Sequence, residues 1–244
     1  MHTRENNEEH SQGVTLMTGG SVRRQIVRFA LPVFWGNLFQ QLYNIVDSLV
    51  VGNFLGSDAL AAVGSSGHII FLLVGLFSGL FTGASVVISG YFGAQEHQKM
   101  HTAIHTTVAF GLLAGVVLSV VGVAVSPTLL RWIGTPDSVF ANSALYFRIY
   151  FSGVVFVTLY NTATGILQAV GDSRHPLYYL IISSVTNVVL DLLFVAVFHM
   201  GVDGAALATV ISQAVSAALG FIRLIRSDAI YRVEPKKVRL NGPM

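Results

Sequence analysis

The chain has 244 residues, of which 53% are hydrophobic and only 11% are charged, and its mean hydropathy is +0.66. Because soluble domains contain about 25% charged residues, this composition indicates a protein embedded in a membrane. The formal net charge of +2 is too small to indicate a nucleic-acid partner, and the absence of cysteine excludes disulfides, thiolate zinc sites and cysteine nucleophiles.

The first 25 residues are polar and include Glu5, Glu8 and Glu9. They lack both the short basic start and the cleavage pattern of a secretory signal peptide. We therefore expect residues 1–25 to form an N-terminal tail in the cytoplasm.

Apolar segments long enough to cross a membrane follow this tail. A helix needs about 20 predominantly apolar residues to span the hydrocarbon layer. Six segments meet this requirement and predict a transmembrane lobe over residues 26–226; they cover residues 26–54, 59–91, 102–133, 143–170, 177–198 and 203–225. The second segment is long enough for two passes. It contains no charge and no turn cluster, so we interpret it as one long helix that bends at its glycines.

The basic residues predict the orientation of these spans. If both ends of the chain are cytoplasmic, only Arg131 and Arg148 of the 14 Lys and Arg residues lie towards the outside. This agrees with the positive-inside rule, under which cytoplasmic segments carry the excess of Lys and Arg. We expect residues 227–244 to be a cytoplasmic linker that is truncated before a second lobe.

Two acidic residues interrupt the apolar spans, Asp47 in the first and Asp191 in the fifth. A carboxyl at the centre of the bilayer costs about 2.5–3.5 kcal/mol on insertion scales, so such residues usually have a function. At 1.5 Å per residue, Asp47, Asp191 and Thr209 of the sixth span lie about 9–12 Å inside the outer boundary. Three spans are therefore expected to bring oxygen atoms to one level of the membrane.

Polar side chains accompany both acids at helical spacing. They are Gln40, Tyr43 and Asn44 on the first span and Ser184 and Asn187 on the fifth. Oxygen ligands suit a hard monovalent cation or a carboxyl that loads a proton. The alternative is a network that only holds the helices together, at about 0.6 kcal/mol per hydrogen bond, and such a network needs no carboxyl.

Two further sets of residues share helix faces. Asn161, Thr164 and Gln168 form a polar stripe on the fourth span, and we predict that it lines the translocation path. His97, His101 and His105 are four residues apart at the start of the third span. They suit either a metal site or a helix start exposed to the cytoplasm, and we favour the second interpretation.

Several short motifs follow one another along the chain. In chain order they are residues 30–32 (ALP), 44–47 (NIVD), 51–52 (VG), 55–64 (LGSDALAAVG), 90–94 (GYFGA), 167–176 (LQAVGDSRHP), 187–191 (NVVLD) and 204–209 (GAALAT). Together they resemble the multidrug and toxic compound extrusion (MATE) family of the MOP superfamily. Each motif is loose alone, but their order and the six-span topology make the resemblance specific. It extends over nearly the whole chain.

The resemblance implies one half of an exporter in which two six-helix lobes face each other in a V. By motif match, Asp47 corresponds to the first-helix acid that binds or gates the coupling ion. Asn187 and Asp191 correspond to the pair beside it, and Thr209 with the carbonyl of Ala205 corresponds to the sixth-helix part of the sodium site. If Na⁺ is the coupling ion, Asp47, Asn187, Asp191 and Thr209 would hold it. The family also places a tyrosine in the fourth helix, and Tyr146 and Tyr150 both match.

We therefore expect an all-α membrane protein that is not an enzyme and has no cofactor: one lobe of a Na⁺- or H⁺-coupled antiporter in the plasma (inner) membrane. Its expected partners are the bilayer, small amphiphilic and often cationic solutes, and a second six-helix lobe, with no nucleic acid. The alternatives are a flippase for lipid-linked saccharides and a silent lobe that acts as an assembly partner. An intramembrane aspartyl protease would also use two carboxyls, but amide and hydroxyl neighbours suit ion binding better.

Overall fold

The structure is a computed structural model that describes residues 21–227 and 229–238, with the backbone alone for residues 22, 65–69, 71, 73, 74, 76, 77 and 236. The predicted tail over residues 1–25 and the last six residues of the chain therefore lie largely outside the described part.

All regular secondary structure in the described residues is helical, which confirms the predicted all-α class. The helices are α1 (Val22–Leu55), α2 (Ser57–Gly93), α3 (His97–Trp132), α4 (Asp137–Ser152), α5 (Val154–Ala169), α6 (Arg174–Asp191), a π-helical turn (Leu192–Val197), α7 (Val202–Arg226) and a 3-10 turn (Pro235–Lys237). The second predicted span is one uninterrupted helix, α2. The fourth predicted span is divided into α4 and α5.

Three of the described helices are long and apolar enough to cross a membrane: α3, α7, and α6 continued by the π-helical turn. The pair α4 and α5 makes a fourth if it is one bent span. Helix α1 carries Gln40, Gln41, Asn44 and Asp47, which lower its hydropathy. Six crossings therefore remain a prediction, although each predicted segment coincides with a helix or a helix pair.

The bend of 45° between α4 and α5 is centred on Gly153. A Cβ atom at this position would lie 2.5 Å from Val210 of α7, so the close contact between the two helices requires glycine. The break also frees the backbone N–H of Val155 from its helical partner. That N–H instead donates to the hydroxyl oxygen of Ser119 on α3, at 3.2 Å, which satisfies the donor inside the lobe.

The helices pack into one bundle in which α3 lies on α5, α7 lies on α4, α5 and α6, and α1 lies mainly on α6. Many large apolar side chains stay on the outside, for example Phe34 of α1, 61% exposed, and Val120 of α3, 65% exposed. Apolar surface of this extent is expected where lipid or another apolar partner covers a helix.

The segment after α7 is packed into the lobe. Tyr231 and Val233 are buried in a cluster formed by α2, α3, α5 and α7. The Val233 N–H donates to the Leu224 carbonyl at 2.9 Å, and the Glu234 N–H donates to Nε2 of His105 at 3.1 Å. Packing therefore continues across the predicted boundary between the lobe and the linker at residues 226 and 227.

Candidate coupling-ion site

The two acids of the predicted spans come from helices that pack on each other. Asp47 lies in α1, and Asp191 is the last residue of α6, directly before the π-helical turn. Short π-helical segments often occur at functional sites, because the extra residue per turn turns side chains away from their regular positions.

The carboxyls of Asp47 and Asp191 lie within hydrogen-bonding range of each other. Asp191 is completely buried and Asp47 is half-buried. One oxygen of each carboxyl, Oδ1, is buried and has no hydrogen-bond partner among the described residues. Unpartnered buried oxygens of this kind are costly, so a proton or a cation that they bind would remove a large penalty.

Asn187 and Thr209 connect this pair to α7. With its amide oriented to satisfy both neighbours, Asn187 donates to Oδ2 of Asp191 at 2.8 Å and accepts from the Thr209 N–H at 3.3 Å. The Thr209 hydroxyl donates to the carbonyl of Ala205 at 3.1 Å. Asn187, Ala205 and Thr209 are all buried. The structure thus places the five residues of the predicted site in one cluster of three helices.

Three tyrosines lie around the carboxyls. Tyr43 lies beside Thr209 and interacts electrostatically with both acids. Tyr146 is buried on α4 and interacts electrostatically with Asp47 and Asp191, and its ring stacks on Tyr150 with the centroids 6.4 Å apart. Of the two tyrosines that the sequence left open, Tyr146 is the one that interacts electrostatically with both acids.

The remaining polar residues of the first and fifth spans lie outside the described hydrogen bonds of the carboxyl pair. Gln40 is half-buried, whereas Asn44 is exposed and donates to Gln41 at 3.3 Å. Ser184 is half-buried and donates to the Leu180 carbonyl of its own helix at 2.8 Å. None of the described hydrogen bonds joins these three side chains to the carboxyls, so their supporting role stays a prediction.

Ser183, which was missed in the sequence analysis, contacts α7 in place of its neighbour Ser184. Its buried hydroxyl donates to the carbonyl of Ser212 on α7 at 2.7 Å. Ser183, Asn187 and Asp191 are spaced by four residues, so they lie on one face of α6 and all point towards its neighbours. The spacing of four residues from Asn187 was the sequence signal that could have identified Ser183.

The polar stripe on α5 is separate from the acids. Asn161, Thr164 and Gln168 are half-buried. Thr164 lies beside Tyr160, whose hydroxyl donates to the Pro176 carbonyl at 3.4 Å. No described hydrogen bond joins this stripe to Asp47 or Asp191. Its place on a translocation path stays a prediction.

Comparison with known proteins identifies the family. Residues 32–193, two thirds of the chain, match the sequence profile of the MatE family. The chain belongs to the MatE family. This MatE chain is therefore an integral membrane protein, as its exposed apolar helices also indicate.

Two curated relatives of the MatE chain come from Bacillus subtilis (strain 168). The probable multidrug resistance protein YoeA is 38% identical over 196 residues, which cover 79% of this chain and 42% of YoeA. The probable multidrug resistance protein YpnP is 33% identical over 213 residues, which cover 87% of this chain and 48% of YpnP. A crystal structure of MATE in the bent conformation superposes with a TM-score of 0.86 at 27% identity, over 96% of this chain and 51% of that one. The MatE chain thus spans about half the length of the proteins it resembles.

Proposed function

We propose that this chain is the first lobe of a secondary active multidrug exporter and that Asp47 and Asp191 bind its coupling ion, Na⁺ or H⁺. With a second six-helix lobe, the protein would move small amphiphilic, often cationic solutes out of the cell. The names of YoeA and YpnP, both called probable multidrug resistance proteins, support this class of substrate. We place it in the plasma membrane, and the distribution of Lys and Arg supports an orientation with both termini in the cytoplasm.

One observation carries the proposal: two carboxyls from different helices meet inside an apolar lobe, and each keeps an unpartnered buried oxygen. Side chains that only join helices would be fully paired, as Ser183 is with Ser212. A dry site disfavours two negative charges side by side, so a proton or a cation has to neutralise part of the pair. Competition between the coupling ion and a cationic solute for this charge would give antiport.

The oxygen atoms present fit Na⁺. Asp47, Asp191, the Thr209 hydroxyl and the Ala205 carbonyl all belong to one cluster, and hard cations take oxygen ligands. The same carboxyl pair can instead hold a shared proton, so the two ions compete for the same atoms.

Binding of the coupling ion can be tested on the chain itself in lipid nanodiscs. A ligand that binds only the folded state stabilises it by about 2.7 kcal/mol at a concentration one hundred times its Kd. We expect the melting temperature to rise with NaCl, relative to choline chloride, or to change with pH at constant Na⁺. Asp191→Asn should abolish whichever response occurs. Asp137→Asn, which changes an exposed acid outside the cluster, should preserve it.

Transport is tested by coexpressing the chain with a second six-helix lobe and measuring dye efflux under an imposed Na⁺ or pH gradient. Efflux that follows the gradient and is lost in Asp47→Asn is the expected result. A melting temperature that responds to neither ion, or efflux that is unchanged in Asp47→Asn, would overturn the proposal.

A further inference from the structure

Helices α6 and α7 present exposed apolar side chains on the same side of their contact. One point of this contact is the hydrogen bond that Ser183 donates to the Ser212 carbonyl at 2.7 Å. Ile182 and Ile211 each precede one of these serines by one residue, and both are exposed. Because the two helices run antiparallel, the same rotation of about 100° places both isoleucines on one side of the pair. The two helices therefore share an exposed apolar surface.

This surface ends in two arginines, where α6 begins and α7 ends. On α6, Tyr178 is 53% exposed, and on α7, Ile222 is 48% exposed. Arg226 is also exposed, one turn after Ile222 on the same face of α7. Arg223 lies about three turns after the serine contact, so it faces α6. We call this region the α6–α7 basic end and define it by Tyr178, Ile222, Arg223 and Arg226.

The two arginines lack a partner for their charge. Nε of Arg223 is buried and has no hydrogen-bond partner among the described residues. Neither Arg223 nor Arg226 forms an ion pair within the part of the chain that the structure describes. A helix C-terminus favours cations, which explains why arginines occur here, but it supplies no acceptor to a buried N–H group. Because a buried donor without an acceptor is costly, this arrangement fits an anion that binds at the two arginines.

Asp172 is an acid at this end of the lobe, and it does not neutralise the arginines. Tyr179, half-buried on α6, interacts electrostatically with both Arg223 and Asp172, which places the three groups near one another. The buried carboxyl of Asp172 is already engaged by His175: it accepts from the His175 N–H at 3.2 Å and lies 2.6 Å from His175 Nδ1. The α6–α7 basic end therefore keeps an excess of positive charge.

We propose that the α6–α7 basic end binds one anionic phospholipid, whose phosphate contacts Arg223 and Arg226 while its acyl chains lie on the shared apolar surface. Guanidinium groups bind phosphate oxygens through pairs of parallel hydrogen bonds. Basic sites between transmembrane helices on the cytoplasmic side bind acidic lipid headgroups, and this end of the lobe is cytoplasmic in the predicted orientation. A free phosphate ion would use the arginines but not the apolar surface beside them. The site goes beyond the proposed function and does not involve the coupling ion.

Binding is measured on the chain in nanodiscs in which phosphatidylglycerol replaces an increasing fraction of phosphatidylcholine. We expect the melting temperature to rise with this fraction, because a ligand of the folded state stabilises it. In the double variant Arg223→Gln, Arg226→Gln, the fraction that gives half of the rise should increase at least about tenfold, or the rise should be lost. The double variant Arg23→Gln, Arg24→Gln removes two exposed charges from the start of α1, at the same predicted membrane surface. It should shift this fraction by less than about twofold.

Melting temperatures in pure phosphatidylcholine verify that the variants are folded. Arg226→Gln alone, at an exposed position, disturbs packing least and should still raise the fraction at least about threefold. An equal shift in the two double variants, or no response of the unsubstituted chain, would overturn the proposal.

A second arm adds inorganic phosphate to pure phosphatidylcholine nanodiscs. A rise in melting temperature equal to that with phosphatidylglycerol would overturn the proposal, because the ligand would then be a free anion. Asp191→Asn should keep the response to phosphatidylglycerol, so failure of the coupling-ion proposal would leave this lipid site in place.

Discussion

The backbone N–H of Glu234 donates a hydrogen bond to Nε2 of His105, although the two residues are 129 positions apart in the chain. The other ring nitrogen, Nδ1, lies 2.7 Å from the carbonyl oxygen of His101. Nδ1 must therefore carry the hydrogen and Nε2 must be the acceptor, so this geometry requires a neutral His105. Both nitrogens are occupied, which removes His105 from the metal site considered for the three histidines.

Replacing His105 should release the segment after α7. In His105→Ala, the Glu234 N–H loses its acceptor, so amide hydrogen exchange over residues 229–234 should speed up by about tenfold, or ~1.4 kcal/mol. His97→Ala, at an exposed position of the same helix, should leave exchange unchanged. Equal exchange in both variants would contradict this account.

A second prediction concerns the bridge that Asn187 forms between Asp191 and Thr209. Asn187→Ala removes the amide that donates to Oδ2 of Asp191 and accepts from the Thr209 N–H. A buried polar group without a partner costs about 1–3 kcal/mol, so the free energy of unfolding should fall by that amount. Asn44→Ala removes the same side chain from an exposed position and should change it by less than about 0.5 kcal/mol. Denaturation in mixed micelles measures both, and an equal loss in the two variants would show that the bridge does not stabilise the lobe.

Close packing of α3 on α4 provides a third prediction. A Cβ atom at Gly122 would overlap the ring of Phe151, which is almost completely buried. Gly122→Ala should therefore destabilise the lobe by about 1–3 kcal/mol, because the ring has no room to move. Gly79→Ala is the matched control, since nothing lies within 4 Å of its Cβ position; alanine favours the helix there and should be neutral or stabilising. In thermal unfolding, the two substitutions should shift the melting temperature in opposite directions or by clearly different amounts.

Helical periodicity predicts which residues share a face, and the rise per residue predicts that Asp47, Asp191 and Thr209 lie at a similar depth. It does not determine how far a helix is rotated about its axis against its neighbours. Ser183 and Ser184 differ by one residue, about 100° of rotation, and only packing on α7 selects Ser183. The bend at Gly153 likewise depends on contact with Val210.

The packing of Tyr231 and Val233 could not be predicted for a related reason. Residues 227–238 are charged and carry a proline, which is typical of a linker. Their burial depends on contacts with α2 and α3, more than a hundred residues earlier in the chain. Local composition contains no information about such contacts, whereas the apolar spans are evident from composition alone.

The last prediction separates Tyr146 from the other tyrosines. Its hydroxyl interacts electrostatically with both carboxyls, so its charge distribution influences how tightly they hold a positive ion. Tyr146→Phe keeps the ring, and with it the stacking on Tyr150, but removes the hydroxyl. The Na⁺ or proton concentration that gives half of the stabilisation should therefore shift by roughly two- to tenfold, the size expected for the loss of one polar interaction of about 0.5–1.5 kcal/mol. Tyr178→Phe, at an exposed tyrosine of α6, should leave this midpoint unchanged. If Tyr146→Phe changes only the melting temperature and not the midpoint, Tyr146 contributes to packing and does not position the ion.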